Sequence, residues 1–352
     1  MLPDPKIAAA LAELGFSTRN AFADHAAVRS RLVAERPEDG EPVATIAIPT
    51  FKRPDFLAEA VESALAQRFD RPLEILIVDN DPNSEGAAAL LERLPELDRA
   101  HFRYFVNIDN IGMFGNWNRC IELARAPWVT ILNDDDLLDP DYLATMFATL
   151  DRRPEVEGLA SRKRSFDQRD EKAPEPGLVR SVAKRGALEL SFAGQESRRI
   201  RPRKFFWGAI LGNGGGFIFR KSCAEAIGGY YAEEFPSADV WFAARFAAVF
   251  HLRQHRAVAA SIRTAENESM KEATARAALR CMVDLQTKLL EGAAPRWWRR
   301  FVPLTVARDL GDYSRNLKVE LDRADMERAL GMQIPPERPY RLWVSRLFLG
   351  GI

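Results

Sequence analysis

Cysteine and histidine are the scarcest residues of this 352-residue chain, at three and four. Cys120, Cys223 and Cys281 are odd in number, far apart and form no CxxC. They exclude a disulfide framework and a cysteine zinc site, and they suit a reducing cytosol. No apolar run approaches the roughly 18 residues of a spanning helix. The opening stretch MLPDPKIAAALAELGF has Glu13 inside its apolar part and no basic leader, so it does not read as a secretory signal. Charge of one sign is not in excess: 50 Lys+Arg balance 50 Asp+Glu. Nucleic acid is therefore not expected as a partner. Lysine is scarce, ten of the fifty basic residues, and a GC-rich coding bias explains that without phosphate recognition. Glycine is missing where a nucleotide fold of the dinucleotide type needs it. The first strand ends in Pro49-Thr50-Phe51-Lys52-Arg53-Pro54, which excludes G-x-G-x-x-G and Walker A loops.

What is present is ordinary globular composition, 47% hydrophobic and 28% charged, in a length that suits about two domains. Residues 1–40 read as an N-terminal helical arm, closed by the polar linker Glu35–Gly40. From there short apolar runs alternate with amphipathic stretches. Strands are expected at Val43–Ile48, Leu73–Val78, Phe102–Val106 and Trp128–Leu132, with helices from Pro54, Ser84, Phe114 and Asp139-Pro140. Strands alternating with helices give right-handed βαβ units, an α/β fold with a mostly parallel sheet and flanking helices. Between Ser161 and Lys204 the periodicity fades into a long polar loop. Phe217–Phe219 and Leu252–Ile262 read as further strands, Lys221–Ile227 and Asp239–Phe250 as helices, with Gly-rich Gly212–Gly216 before them. The expected units are 41–269, split into a nucleotide-binding half (41–160) and an acceptor-side half (161–269), and a helical extension at 270–352.

In an open α/β sheet, ligands bind beyond the carboxyl ends of the strands. There the chain places Leu132-Asn133-Asp134-Asp135-Asp136. In extended backbone, residues two apart share a face, so Asp134 and Asp136 converge while Asp135 points away. Paired carboxylates call for a cation, and Mg²⁺ or Mn²⁺ is the natural one, held with substrate phosphates. The competing reading is a solvated acidic loop leading into a helix that Asp139 caps.

These motifs are ordered as in a known family. Ile48–Arg53, Ile77–Asn80, Asn110–Asn118, Leu132–Asp136 and Phe219–Tyr230, with Asp239 beyond, make the stretch from Thr45 to about Ser269 resemble an inverting family 2 glycosyltransferase of GT-A (Rossmann-like) fold. The resemblance implies transfer of a sugar from a nucleotide-diphosphate donor, UDP- or dTDP-linked, to an acceptor hydroxyl. By similarity Thr50, Asp79 and Asn80 form the nucleoside pocket. Asp134, with Asp135 assisting, meets the ribose region, and Asp136 with Asp134 binds the metal. Asp239 is the general base; Glu233 and Glu234 are the alternatives. Asn116 and Asn118 frame the donor or cap a helix. The implied acceptor is a glycan, glycolipid or polyprenyl-linked sugar in surface polysaccharide synthesis.

Three departures stand out. Asn80 replaces a second acid, Ala238 replaces the first acid before Asp239, and Ala265 replaces a histidine in Arg263–Ser269. Glu266 is then a substitute ligand; otherwise metal affinity is low, or Arg263 alone steadies the diphosphate. The basic run Arg198–Lys204 either closes over phosphates or is a solvated edge. His251 and His255 lie on a strand, where their spacing does not bind zinc. Arg296–Phe301 and Arg338–Leu349 mix basic and aromatic residues. They suit an anionic membrane surface, which would make a cytoplasmic protein peripheral on the inner face of the membrane, or they pack on protein. Two rival functions remain: a metal-dependent nucleotidyltransferase, and a non-catalytic glycan- or partner-binding relative.

Overall fold

The computed structural model describes residues 4–36, 40–94, 101–167, 189, 191–211, 214–264 and 271–336. Its strands are β1 (Ser30–Arg36), β2 (Ala44–Thr50), β3 (Leu73–Asp79), β4 (His101–Asn107), β5 (Trp128–Ile131), β6 (Leu137–Leu138), β7 (Gly158–Asp167), β8 (Ser197–Arg199), β9 (Phe217–Arg220) and β10 (Leu252–Thr264). Its helices are α1 (Pro5–Glu13), α2 (Pro54–Leu65), α3 (Gly86–Arg93), α4 (Gly112–Leu123), α5 (Tyr142–Arg152), α6 (Lys221–Ala226), α7 (Ala238–Val249), α8 (Glu272–Gly292), α9 (Val302–Asp312) and α10 (Arg323–Leu330).

One sheet runs β1-β4-β3-β2-β5-β9-β7-β10-β6, with β8 joined to β10. β4, β3, β2 and β5 are parallel, joined through α3, α2 and α4, as βαβ connectivity requires. Burial on both faces explains why these strands read as unbroken apolar runs rather than alternating ones. Ile46, Ile48, Ile75 and Ile77 pack with Leu57, Val61, Leu143 and Met146 of α2 and α5. Their neighbours Ala47, Leu76, Val78, Val129 and Ile131 face the other way, onto Phe114 and Ile121 of α4 and Phe242 and Phe246 of α7. Leu279, Leu285 and Leu289 of α8, with Trp298 and Val306, fill that same second cluster. The C-terminal helices thus share a core with the sheet.

Three local expectations are corrected. The N-terminal arm is not helical throughout: Ser30–Arg36 is an edge strand antiparallel to β4, with a bulge between Leu32 and Ala34. Its mixed polarity suits an edge, where one side faces water. The polar stretch after Ser161 begins as strand, not loop, since β7 runs to Asp167 between β9 and β10. Successive Arg162, Lys163 and Arg164 hide the period of two because both faces carry charge there. Arg198 and Arg199 belong to a short strand paired with Arg253 and Gln254, at the start of β10. The site lies near Arg263, nine residues and roughly 30 Å further along the strand. That basic run is therefore at the wrong end of the sheet to cover phosphates.

Candidate active site

Thr50 pairs in register with Asp79, and Ala47 with Ile131, so the ends of β2, β3 and β5 lie side by side. The acidic triplet follows β5 directly. It is a turn, closed by Asp136 N–H donating to the Asn133 carbonyl at 3.1 Å. A turn breaks the two-residue alternation of extended chain, so Asp134 and Asp136 do not share one face as expected. Arg53, at the start of α2, spans Asp134 (3.5 Å) and Asp135 (3.0 Å), and the Thr50 hydroxyl donates to Asp134 at 2.8 Å. Asp136 is held from elsewhere: the Arg263 backbone N–H and the Asn133 amide each donate to it at 3.0 Å. Burial raises both carboxyls, followed by the repulsion of Asp135: Asp134 to about 6 and Asp136 to about 7.

The strand-end residues are tightly occupied. Asp79 accepts from the Tyr104 hydroxyl at 2.7 Å, from Ser84, and from the Asp81 N–H at 3.0 Å. The Asn80 amide donates to Asn110 (2.8 Å) and the Gly112 carbonyl (3.2 Å) and accepts from Asn107 (3.0 Å) and the Ile111 N–H (3.1 Å). Those four bonds use the four sites of an amide, so its side chain anchors the entry to α4. Asn116 and Asn118 cap no helix. Asn116 donates to the Val78 carbonyl, fixing α4 to β3, and Asn118 exchanges two 2.8 Å bonds with the Tyr230 backbone.

Across the site, Asp239 sits in the first turn of α7, where the helix dipole favours an anion. Burial still raises it to about 6, against the opposing pull of Lys163 and of the N–H groups of Val240, Asp239 and Gly214. The alternative bases are engaged elsewhere. Glu233 is paired with Arg19 at 2.5 and 2.8 Å, and Glu234 is buried against Arg245. The turn Gly214–Gly216 runs between the two acids. A Cβ on Gly214 would lie 3.8 Å from the Asp239 Cβ, one on Gly215 3.3 Å from Asp136 Oδ2, and one on Gly216 3.8 Å from Lys163 Cε.

Lys163 is the site residue that sequence reasoning missed. Burial lowers it to about 8, while Asp239 and then Asp136 pull it back up. Its one signal was alternation within a charged triplet: Arg162 pairs with Glu189 and Arg164 with Asp139, which leaves Lys163 for the opposite face. Arg263, expected to steady a diphosphate, is committed to the fold. Its guanidinium lies 4.7 Å from both the Phe56 and Phe166 rings, pairs with Glu59 at 2.5 Å and donates to the Asp135 carbonyl at 2.9 Å. Ala265 and Glu266 lie outside the described residues. His255 accepts from the Ala257 N–H at 2.9 Å, a structural role. A cleft of about 1220 Å³ lies apart from this chemistry, between Phe16, Trp241 and the Arg276–Asp284 flank of α8, and no carboxylate of the acidic triplet lines it.

The sequence profile of glycosyl transferase family 2 matches residues 45–228, just over half of the chain. The chain belongs to glycosyl transferase family 2. Among relatives of this family 2 member is the succinoglycan biosynthesis protein ExoO of Rhizobium meliloti, 31% identical over 113 residues, which are 32% of this chain and 31% of that one. Another is the GalNAc(5)-diNAcBac-PP-undecaprenol beta-1,3-glucosyltransferase of Campylobacter jejuni, 33% identical over 106 residues, 30% of this chain and 33% of the relative. The chain thus spans about a third of the length of these curated relatives. Among solved structures, S. aureus TarS 1-349 in complex with UDP-GlcNAc superposes with a TM-score of 0.55 at 13% identity, over 80% of this chain and 78% of that one. The mannosyltransferase PcManGT from Pyrobaculum calidifontis, in complex with GDP-Man and Mn²⁺, gives 0.53 at 18% identity, over 97% and 90%. At such identities the likeness shows the fold, that of the GT-A glycosyltransferases.

Proposed function

We propose that this family 2 glycosyltransferase moves a sugar from a nucleoside-diphosphate donor to an acceptor hydroxyl with inversion. The reading is carried by two carboxylates of raised proton affinity, Asp136 and Asp239, brought together across the Gly214–Gly216 turn beyond the strand ends. Asp239 takes the proton of the acceptor hydroxyl. The acceptor oxygen bonds to the anomeric carbon as the opposite bond, to the diphosphate, breaks. Thr50, bonded to Asp134, and Asp135, linked to Asp134 through Arg53, form with it the wall for the ribose, and Asp79 and Asn80 shape the floor of the nucleoside pocket.

A divalent cation, Mn²⁺ or Mg²⁺, fits Asp136 by the chemistry of its donors. Among the described residues no three His, Cys, Asp or Glu converge to enclose an ion. Hard cations of this kind need only one or two carboxylates when phosphate oxygens complete the shell. Each Asp136 oxygen accepts one hydrogen bond and keeps a lone pair. Asp134, the second ligand proposed, has one oxygen on Thr50 and the other on Arg53. When bound, the cation offsets charge on the leaving diphosphate.

UDP or dTDP is the proposed nucleotide. The names of the relatives support a glycan, glycolipid or polyprenyl-linked acceptor in surface polysaccharide synthesis. No helix among the described residues is long and apolar enough to cross a membrane. Trp298 is buried against Trp207 and Phe206, whereas Trp297 is 47% exposed under Arg300. That leaves one outward basic-aromatic pair for peripheral contact; Arg338–Leu349 lies outside the described residues.

The test is a thermal-shift panel of UDP, dTDP and GDP with and without Mn²⁺, run alongside turnover. Asp239→Asn is expected to keep nucleotide stabilisation and lose about 10²- to 10⁴-fold in transfer. Asp136→Ala is expected to lose the Mn²⁺-dependent part of nucleotide binding. Full turnover by Asp239→Asn would remove the base assignment.

A further inference from the structure

Around the two carboxylates, the arginines have fixed partners within the fold. Arg53 is divided between Asp134 and Asp135, and its side chain is 37% exposed at the rim. Arg263 is sandwiched by Phe56 and Phe166 and paired with Glu59. Arg162 and Arg164 point off the other face of β7 to Glu189 and Asp139. Lys163 faces the acids. It acts electrostatically on both Asp136 and Asp239, and these two acids are its two largest charged influences. Its side chain also runs along Gly216, in the same turn that touches the two acids.

We propose that Lys163 is a phosphate-binding residue of the transfer reaction: from beside the Gly214–Gly216 turn, which Asp136 and Asp239 flank, its ammonium donates to an oxygen of the donor's diphosphate. The proposal rests on the donor reading above. Three arguments support it. An ammonium carries three donors on a flexible stem, so it can hold Asp239 and a phosphate oxygen at once, which the locked guanidinium of Arg263 cannot do. Asp136 and Asp239, two carboxylates, flank the Gly214–Gly216 turn where the donor reading brings the diphosphate. An anion entering there needs fixed positive charge in addition to any divalent ion. Finally, the β7 backbone is fixed at Lys163 by β10, where it is in register with Ala260, and β9 holds the start of the same strand at Gly158–Ala160. The lysine is therefore placed before the ligand comes.

The test compares nucleoside diphosphates with the matching monophosphates, UDP against UMP, dTDP against dTMP and GDP against GMP, by calorimetry with Mn²⁺. Lys163→Met is expected to weaken the diphosphate by about tenfold or more, the value of one charge-assisted hydrogen bond, while changing the monophosphate far less. Lys163→Arg, which keeps the charge, is expected to recover most of the loss. Lys163→Gln, which keeps a donor without charge, serves if the methionine variant does not fold. A merely structural role would weaken both nucleotides alike and leave their affinity ratio unchanged. That result overturns the proposal. If the wild type binds none of the diphosphates, the donor reading fails and the proposal falls with it. Wild-type binding with an unaltered ratio in the variants overturns the lysine alone.

Discussion

Asp239 and Asp136 hold their protons more tightly than free carboxyls because each is withdrawn from water. For a base the consequence has a definite sign. Below about 6, Asp239 is protonated and cannot accept the hydroxyl proton; above it, the carboxylate is free to act. The acid limb of kcat/KM is therefore expected near pH 6, about two units above an ordinary aspartate. A pH-rate profile checks this, and a limb near pH 4 would assign the base elsewhere. The residue identities at this scale were legible. Asp134, Asp136 and Asp239 stand out because acids follow an apolar strand or open a helix. The partners were not legible. Arg53 binding two acids, Asn80 spending its whole amide on the α4 entry, and Lys163 facing inward depend on atoms brought from distant segments.

The elements that carry the site are turns, and their shape decides what the side chains do. The Asn133–Asp136 turn separates Asp134 from Asp136, where an extended strand would have put them together. The Gly214–Gly216 turn threads between Asp136 and Asp239, and glycine is required at its end. Gly216 has φ of +70°, and an added Cβ would fall 2.6 Å from Ser161 Oγ and 2.9 Å from the Ala260 Cβ. Gly216→Ala is expected to cost about 1–3 kcal/mol in urea unfolding and to lower turnover as well, by moving the turn against the acids. Unchanged stability and activity would show that the turn adapts freely. Helix and strand positions were largely legible from periodicity. β1 and β7 were not, because an edge strand and a strand end lined with charge lack the apolar pattern that marks a strand.

At the scale of the molecule, the sheet divides two apolar clusters, and the second reaches from Ala47 and Val129 to Leu279, Leu289 and Trp298. The helices after residue 270 therefore share one apolar interior with the sheet. A chain ending at Glu268 would expose that face of α7 and the sheet. It is expected to lose cooperative unfolding and to bind hydrophobic dyes, as calorimetry and dye fluorescence would report. A soluble, cooperatively folding truncation would mean that the C-terminal helices are an independent unit.

The sequence alone determined the α/β alternation, the order of the motifs and which acids are candidates for the site. These follow from short-range rules: strand burial, helix periodicity and the end of a strand. The tertiary structure alone decided which acid faces which partner. It placed the Arg198–Arg199 strand at the far end of β10, tied Arg263 to Glu59, and brought Lys163 to the turn that Asp136 and Asp239 flank. Charge acts through space rather than along the chain, so only the folded distances could assign those roles.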